Sequence, residues 1–155
     1  MYIMHLNKRE SAMKLGIIVV GKRHAGKTTC IKMVKEKIGI NTTQTRFDCC
    51  GNNNRGFIIS GSWDELELRT PAGVHDHLMG VCDNHQVIVI PSWHEDVPGS
   101  YLPIYLNVFR GKEFKVIRVD VMKMEEEEAV WMTAKEHLAD YVYALVKNAC
   151  PDLQR

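Results

Sequence analysis

Several features that would assign a protein to a common class are missing from this sequence. No stretch reaches the about 18 consecutive apolar residues that a membrane-spanning helix needs, and no signal-peptide pattern is present. Lys and Arg together number 20 and Asp and Glu 19, so no basic excess marks a stable DNA-binding protein, although a nucleic-acid substrate stays open. We therefore expect a cytoplasmic protein with no membrane partner.

The cysteines also lack a diagnostic arrangement. They number five, at positions 30, 49, 50, 82 and 150, and their spacing fits neither a zinc site nor a redox motif. Cys49 and Cys50 are adjacent, which makes them poor partners for a mutual disulfide. We expect all five to be reduced thiols, as is usual for an intracellular protein.

No internal repeat or low-complexity block divides the chain. Its 155 residues, 45% of them hydrophobic and 25% charged, are typical of one globular domain with its own core. Residues 1–12 are polar and irregular, and we expect them to form a disordered or loosely packed extension. Residues 13–155 are expected to form a single domain.

The most informative stretch runs from Gly21 to Thr28 and fits the phosphate-binding pattern G-x-x-x-x-G-K-[ST]. An apolar, β-branched run at 15–20 precedes it and suits a buried strand. Ile31, Val34 and Ile38 follow it at helical spacing. Strand, glycine-containing loop and helix are the context that this motif requires, so a chance match in a surface loop is the weaker interpretation.

The residue types in this stretch explain how it would bind a polyphosphate. Gly21 and Gly26 permit unusual backbone angles, so that successive N–H groups converge on phosphate oxygens, and the helix N-terminus faces the same anion. Lys27 would reach the β- and γ-phosphates, and the Thr28 hydroxyl would bind Mg²⁺. The predicted nucleotide-binding residues are Gly21, Lys22, Arg23, His24, Ala25, Gly26, Lys27, Thr28 and Thr29.

The remaining apolar segments alternate between strand and helix. Beyond the first strand and helix, they predict strands at Phe57–Ser60, Glu65–Leu68, Gln86–Ile90 and Phe114–Val119, and helices at Val74–Cys82, Tyr101–Phe109 and Glu125–Cys150. The first two of these strands would form a hairpin around residues 61–64. Residues 41–56 are rich in turn formers, lack apolar anchors and are expected to be a mobile loop. The pattern predicts a three-layer α/β fold with a mainly parallel sheet, in which the strand at 15–20 is central and lies beside residues 87–90.

Loops that leave the strand ends are the expected place for catalytic groups. Asp48 could orient an acceptor hydroxyl or a metal-bound water, and Arg69 could stabilise developing phosphoryl charge, as could Arg46 and Arg55. For each of them a plain surface or turn residue is an open alternative. The clusters at 75–77 and 94–96 combine His with acids, but their spacing does not suit two ligands on one helical face.

The motif makes the first third of the chain resemble P-loop NTPases generally. The pattern from Val87 to Ser92, a helix, and then Phe114 to Val119 resembles the later half of small nucleotide and polynucleotide kinases, including the deoxynucleoside monophosphate kinases of bacterial viruses. This resemblance spans residues 86–121. It implies a P-loop fold, transfer of phosphate from ATP, Mg²⁺ as cofactor, and a nucleotide, nucleoside or nucleic-acid end as acceptor. The Arg-rich lid helix of many such kinases is not evident, so the stabilisation of the γ-phosphate that the lid provides is left unassigned.

Residues 14–73 are also similar to small GTPases, through the same loop and through Arg69-Thr70-Pro71-Ala72-Gly73, which resembles their D-T-P-G switch. Arg69 stands where that family has its metal-linked aspartate, and no N-K-x-D guanine motif follows the later strands. The Thr-Pro-Ala-Gly segment likewise resembles MinD and ParA ATPases, whose signature lysine would correspond to Lys22. The sequence thus favours a kinase that binds ATP or GTP, with an NTPase switch or a degenerate nucleotide-binding module as alternatives.

Overall fold

The computed structural model describes residues 14–23, 25–49, 55–65, 70–122, 128–150 and 153. Within these ranges the strands are β1 (Leu15–Val20), β2 (Arg46–Asp48), β3 (Arg55–Ile58), β4 (Val87–Ser92) and β5 (Lys115–Asp120). The helices are α1 (Lys27–Ile38), α2 (Pro71–Asn84), α3 (Leu102–Gly111) and α4 (Glu128–Ala149), and a short 3-10 turn covers Trp63–Glu65.

The strands form one mixed sheet in the order β2-β3-β4-β1-β5. β3, β4, β1 and β5 run parallel, and only β2 is antiparallel to its neighbour. The α/β class and the mainly parallel sheet are therefore confirmed. The central place of β1 is confirmed as well, since it pairs with β4 on one side and β5 on the other.

Successive side chains of a strand point to opposite sides of the sheet, and every residue of β1 is buried. Both faces of the sheet are therefore covered, and the helices provide the cover. Ile17 and Val19 join a core cluster with α1 and α4. Ile18 and Val20 join a second cluster with α2 and α3, centred on the fully buried rings of Tyr105 and Phe109. The result is helix, sheet and helix in three layers.

The predicted hairpin is wrong in its pairing. β3 was expected to pair with residues 65–68, but its antiparallel partner is β2, and its other edge is taken by β4. The ring of Phe47 packs over Gly56 across the β2–β3 pair, where any side chain on Gly56 would collide with it. Residues 63–65 form the 3-10 turn instead, and residues 66–69 lie outside the described part of the chain.

The segment 41–56 also differs from the expected mobile loop without apolar anchors. It contains β2, and both Phe47 and Cys49 are buried in the core. Cys49 forms a disulfide with Cys150 at the end of α4. Residues 50–54, which include Cys50, are outside the described ranges.

This disulfide overturns the expectation that all the cysteines are reduced. Cys30 and Cys82 are free, and burial raises the pKa of their thiols to about 11 and about 12 respectively. Both side chains lie in the core clusters, so these two residues serve packing. The expected loose extension, residues 1–12, lies outside the described residues.

Helix boundaries follow local capping. The Thr70 side chain accepts a hydrogen bond from the Gly73 N–H and Pro71 opens α2, so this helix begins three residues before the predicted Val74. α1 is capped by Gly39, whose positive φ lets its N–H reach the carbonyls of Lys35 and Glu36.

Candidate anion-binding site

The loop after β1 is clamped between the ends of its two neighbouring strands. The Gly21 N–H donates to the Ser92 carbonyl at 3.1 Å, and the His94 N–H donates to the Gly21 carbonyl at 3.3 Å. On the other side, the Val121 N–H donates to Val20 at 2.7 Å. A Cβ on Gly21 would lie 2.8 Å from the Val121 carbonyl oxygen, so glycine is needed for this close approach. The loop therefore sits where the carboxyl ends of parallel strands meet, which is where α/β sheets bind ligands.

Gly26 turns the chain from this loop into α1. Its φ of 99° and ψ of 17° place it in the left-handed region, which favours glycine. No side chain caps the helix that follows, and its first turn contains no acid. Its first N–H groups and its positive end are thus available to an anion.

Lys27, the first residue of α1, turns its side chain back into the loop. The residue is buried, and its ammonium donates to the carbonyls of Gly21 and Lys22, both at 2.8 Å. These bonds hold the loop closed around a positive charge. An arriving phosphate would meet that charge and the helix N-terminus together.

Thr28 lies beside Lys27 with its side chain exposed, and its hydroxyl donates to the Ser60 carbonyl at 3.0 Å. Because the hydroxyl hydrogen is engaged there, the oxygen lone pairs are left for another partner. The Thr28 hydroxyl oxygen could bind Mg²⁺ as one of its six ligands, with phosphate oxygens and waters as the others.

These residues surround a cleft of about 530 Å³. The residues that line it are Arg23, Gly26, Lys27, Thr28, Thr29, Ser62, Pro91 and Trp131. The Arg23 side chain is exposed and stacks on Trp93, with its guanidinium carbon 4.8 Å from the ring centroid. The structure thus brings five of the predicted binding residues, Arg23 and 26–29, to one cavity.

The other predicted loop residues have different surroundings. Gly21 and Lys22 line a second cavity of about 630 Å³. Ala25 is buried in the core cluster with α1 and α4, so its side chain serves packing. His24 lies outside the described residues.

Of the two further catalytic candidates, only Asp48 is among the described residues, and it lies away from the loop. Asp48 pairs with Arg55 at the start of β3, and Gly56 is in register with Val87 at the start of β4. Asp48 therefore lies near the amino-terminal ends of the parallel strands, whereas Gly21 lies at their carboxyl-terminal ends. This separation argues against the catalytic role expected for Asp48. Arg69 is among the residues that the structure does not describe.

Asp64 has a role that the sequence did not suggest. Its carboxylate accepts hydrogen bonds from the Ser62 hydroxyl at 2.6 Å and the Tyr101 N–H at 2.7 Å, with longer ones from the Trp93 N–H and the Tyr105 hydroxyl, both at 3.4 Å. These bonds join the 3-10 turn to the end of β4 and the start of α3. Asp64 thereby fixes Ser62 in the wall of the cleft. Apart from Ser62, its partners are remote in sequence, so no local pattern revealed this role.

A charged cluster borders the second cavity. Arg118 donates to both carboxylate oxygens of Glu95, at 2.6 and 2.7 Å, and also pairs with Asp120 at 2.9 Å. The hydrogen bonds from Arg118 lower the pKa of Glu95 to about 2 and raise the pKa of Arg118 itself. His94 contacts Glu95 at 2.9 Å. The cluster is paired internally, and among the described residues no group of three or more His, Cys, Asp or Glu is arranged to hold a metal.

No family model matches the chain, and neither the curated proteins nor the solved structures include a significant match. Within the described residues, no helix combines the length and apolar character that crossing a membrane requires.

Proposed function

We propose that this chain is a P-loop phosphotransferase that binds a magnesium nucleoside triphosphate and transfers its terminal phosphoryl group. The observation that carries the proposal is the Lys27 ammonium, held by the carbonyls of Gly21 and Lys22 beside a left-handed Gly26 that opens α1. Loop, lysine and uncapped helix end face one cleft of about 530 Å³, a volume suited to a small ligand.

Each part of the site has a distinct task in this proposal. The first N–H groups of α1 bind phosphate oxygens, and Lys27 exchanges a carbonyl for the β- and γ-phosphates. Arg23, which stacks on Trp93, adds positive charge at the rim of the cleft. The hydroxyl of Thr28 would hold Mg²⁺, which neutralises charge on the phosphates when it is bound.

The acceptor is proposed to enter from the second cavity. Gly21 and Lys22 line this cavity, and their carbonyls accept hydrogen bonds from Lys27 of the first cleft, so a ligand in it would lie against the same loop. Its wall contains His94 and the Arg118 side chain, both already paired with Glu95. The chemistry fits a small polar acceptor, such as a nucleotide, nucleoside or nucleic-acid end.

A nucleotide-binding module without turnover is the second candidate. The residues that line the first cleft, among those described, include no Asp or Glu. At the end of β4, beside the loop, stands the buried Ser92, whose hydroxyl donates to the Trp93 carbonyl. A site without a carboxylate near the metal binds phosphates but has less means to organise their transfer.

The test is a screen of γ-labelled ATP and GTP against nucleosides, nucleotides and DNA ends, with the parent chain and Lys27→Ala. Label transfer to an acceptor by the parent, lost in Lys27→Ala, supports the kinase. Saturable triphosphate binding with no transfer to any acceptor and no hydrolysis supports the module. Hydrolysis without an acceptor and with strong guanine selectivity would support a GTPase-like switch. A parent that binds no triphosphate contradicts the entire proposal.

A further inference from the structure

A second buried lysine, besides Lys27, lies against the loop at Gly26. Lys135 belongs to α4 and is 2% exposed. A Cβ built on Gly26 would lie 2.8 Å from its Cδ, 2.9 Å from its Cε and 3.1 Å from its Nζ. The end of the Lys135 side chain therefore rests on the glycine that starts α1. The packing of α4 against α1 brings it there, 109 positions along the chain from Gly26.

Trp131, one helical turn before Lys135, continues this surface into the cleft. The Lys135 ammonium lies 2.8 Å from the centroid of the Trp131 ring, a cation–π contact. Trp131 lines the cleft that also contains Lys27 and Thr28. Its indole N–H is buried and has no hydrogen-bond partner among the described residues.

The electrostatics of this arrangement point to an anion. Burying an ammonium is costly, and α1 presents its positive end at the place where Lys135 lies. The first turn of α1 holds no acid, and Lys27 adds another buried ammonium to the same turn. An anion in the loop would offset this accumulation of charge.

The geometry points to Lys135 as a second lysine of the polyphosphate site, a positioning residue that supports the Gly26 turn and adds its charge to the loop. This inference rests on the proposed function. Lys135 would supply the site with a cation from the last helix, whereas the sequence showed no Arg-rich lid that could do so.

The experiment measures calorimetric binding of inorganic triphosphate, without a nucleoside, at several salt concentrations. The variants are Lys135→Met, Lys135→Arg, Lys27→Ala and the control Lys35→Met. Lys35 is also 2% exposed, and its replacement by Met changes the net charge by the same amount as Lys135→Met. Lys35 lies near the opposite end of α1, where its ammonium donates to the Thr42 carbonyl at 2.9 Å.

We expect Lys135→Met to bind triphosphate about 3- to 30-fold more weakly than the parent, with a shallower dependence on salt. Lys135→Arg should recover part of the affinity and the salt dependence, and Lys35→Met should retain both. A purely structural role of Lys135 would lower the melting temperature without changing the salt dependence. If Lys135→Met does not fold, Lys135→Gln provides the same loss of charge with a polar end.

The outcomes separate this inference from the proposed function. Parental affinity and salt dependence in a folded Lys135→Met, with binding lost in Lys27→Ala, overturn the role of Lys135 and leave the proposed function intact. A parent that binds no triphosphate overturns both. Equal losses in Lys135→Met and Lys35→Met would mean that net charge alone matters, which also overturns the role of Lys135.

Discussion

The two ends of α1 contain the same kind of residue in opposite electrostatic settings. Lys27 at the N-terminus and Lys35 near the C-terminus are both buried, and both donate to backbone carbonyls. Burial, together with the charge of Lys32, lowers the pKa of Lys35, but the helix dipole favours its charge because the carbonyl end of a helix is negative. The charge of Lys27 opposes the helix dipole, so its position makes sense when an anion binds there. The comparison teaches that burial of a lysine indicates a site only where local electrostatics do not already explain it.

The largest effect should come from replacing the buried lysine at the N-terminus of α1. Lys27→Ala is expected to abolish turnover and weaken triphosphate binding about tenfold to a hundredfold, because a charge-assisted bond to phosphate is lost. Steady-state turnover and nucleotide titration measure both effects. Lys35→Ala is the matched control and should keep parental affinity. Equal behaviour of the two variants would contradict the distinction between the ends of the helix.

The C-terminal end of α1 lies in a region that we expect to matter for stability alone. Cys150→Ser removes the disulfide to Cys49, which closes a sequence separation of 101 residues. In the chain-entropy account this loss costs about 2–5 kcal/mol of unfolding free energy. Urea unfolding of parent and variant measures it. Triphosphate affinity should be unchanged in the folded variant, and a drop in affinity would show that the two regions are coupled.

A smaller and conditional effect is expected at Thr28. Thr28→Ala removes the hydroxyl that we propose as a magnesium ligand, so turnover should fall and added Mg²⁺ should partly restore it. Turnover measured across a magnesium titration tests this prediction. In Lys27→Ala the same titration should restore nothing. If added magnesium has no effect on Thr28→Ala, the hydroxyl acts only through its bond to Ser60.

The smallest effect is expected from the charged cluster beside the second cavity. Pairing with Arg118 lowers the pKa of Glu95 from 4.5 to about 2, so this carboxylate contributes stability above about pH 4.5 that is lost as the pH falls toward 2. The difference in melting temperature between the parent and Glu95→Gln should therefore shrink over that interval. A constant difference from pH 6 to pH 2 would mean that the pair does not stabilise the fold. Since Glu95 is exposed, the difference should be small throughout.

The sequence was most informative where local pattern determines structure. The apolar runs that became β1 and β4 were recognisable because strands buried on both faces are continuously hydrophobic. The Gly21–Thr28 motif identified its own loop because its glycines and lysine act on neighbouring backbone. β2 was missed as the partner of β3, since a strand of three residues with one buried side chain, Phe47, carries little periodicity.

What the sequence could not indicate depends on packing between distant segments. Lys135 and Trp131 read as ordinary helix residues until α4 packs against α1 and brings them to Gly26. Cys49 and Cys150 had no spacing that marked them as partners. Asp64 was expected in a hairpin turn, and only the fold shows that it joins the turn to α3.

The most direct test of the account is an amide NMR titration of the parent chain with inorganic triphosphate. The account predicts saturable shifts at the N–H groups of Gly26, Lys27 and Thr28, with residues 35–38 at the other end of α1 unaffected. Shifts confined to other parts of the chain, or no saturable response, would contradict the claim that the N-terminal end of α1 is an anion-binding site.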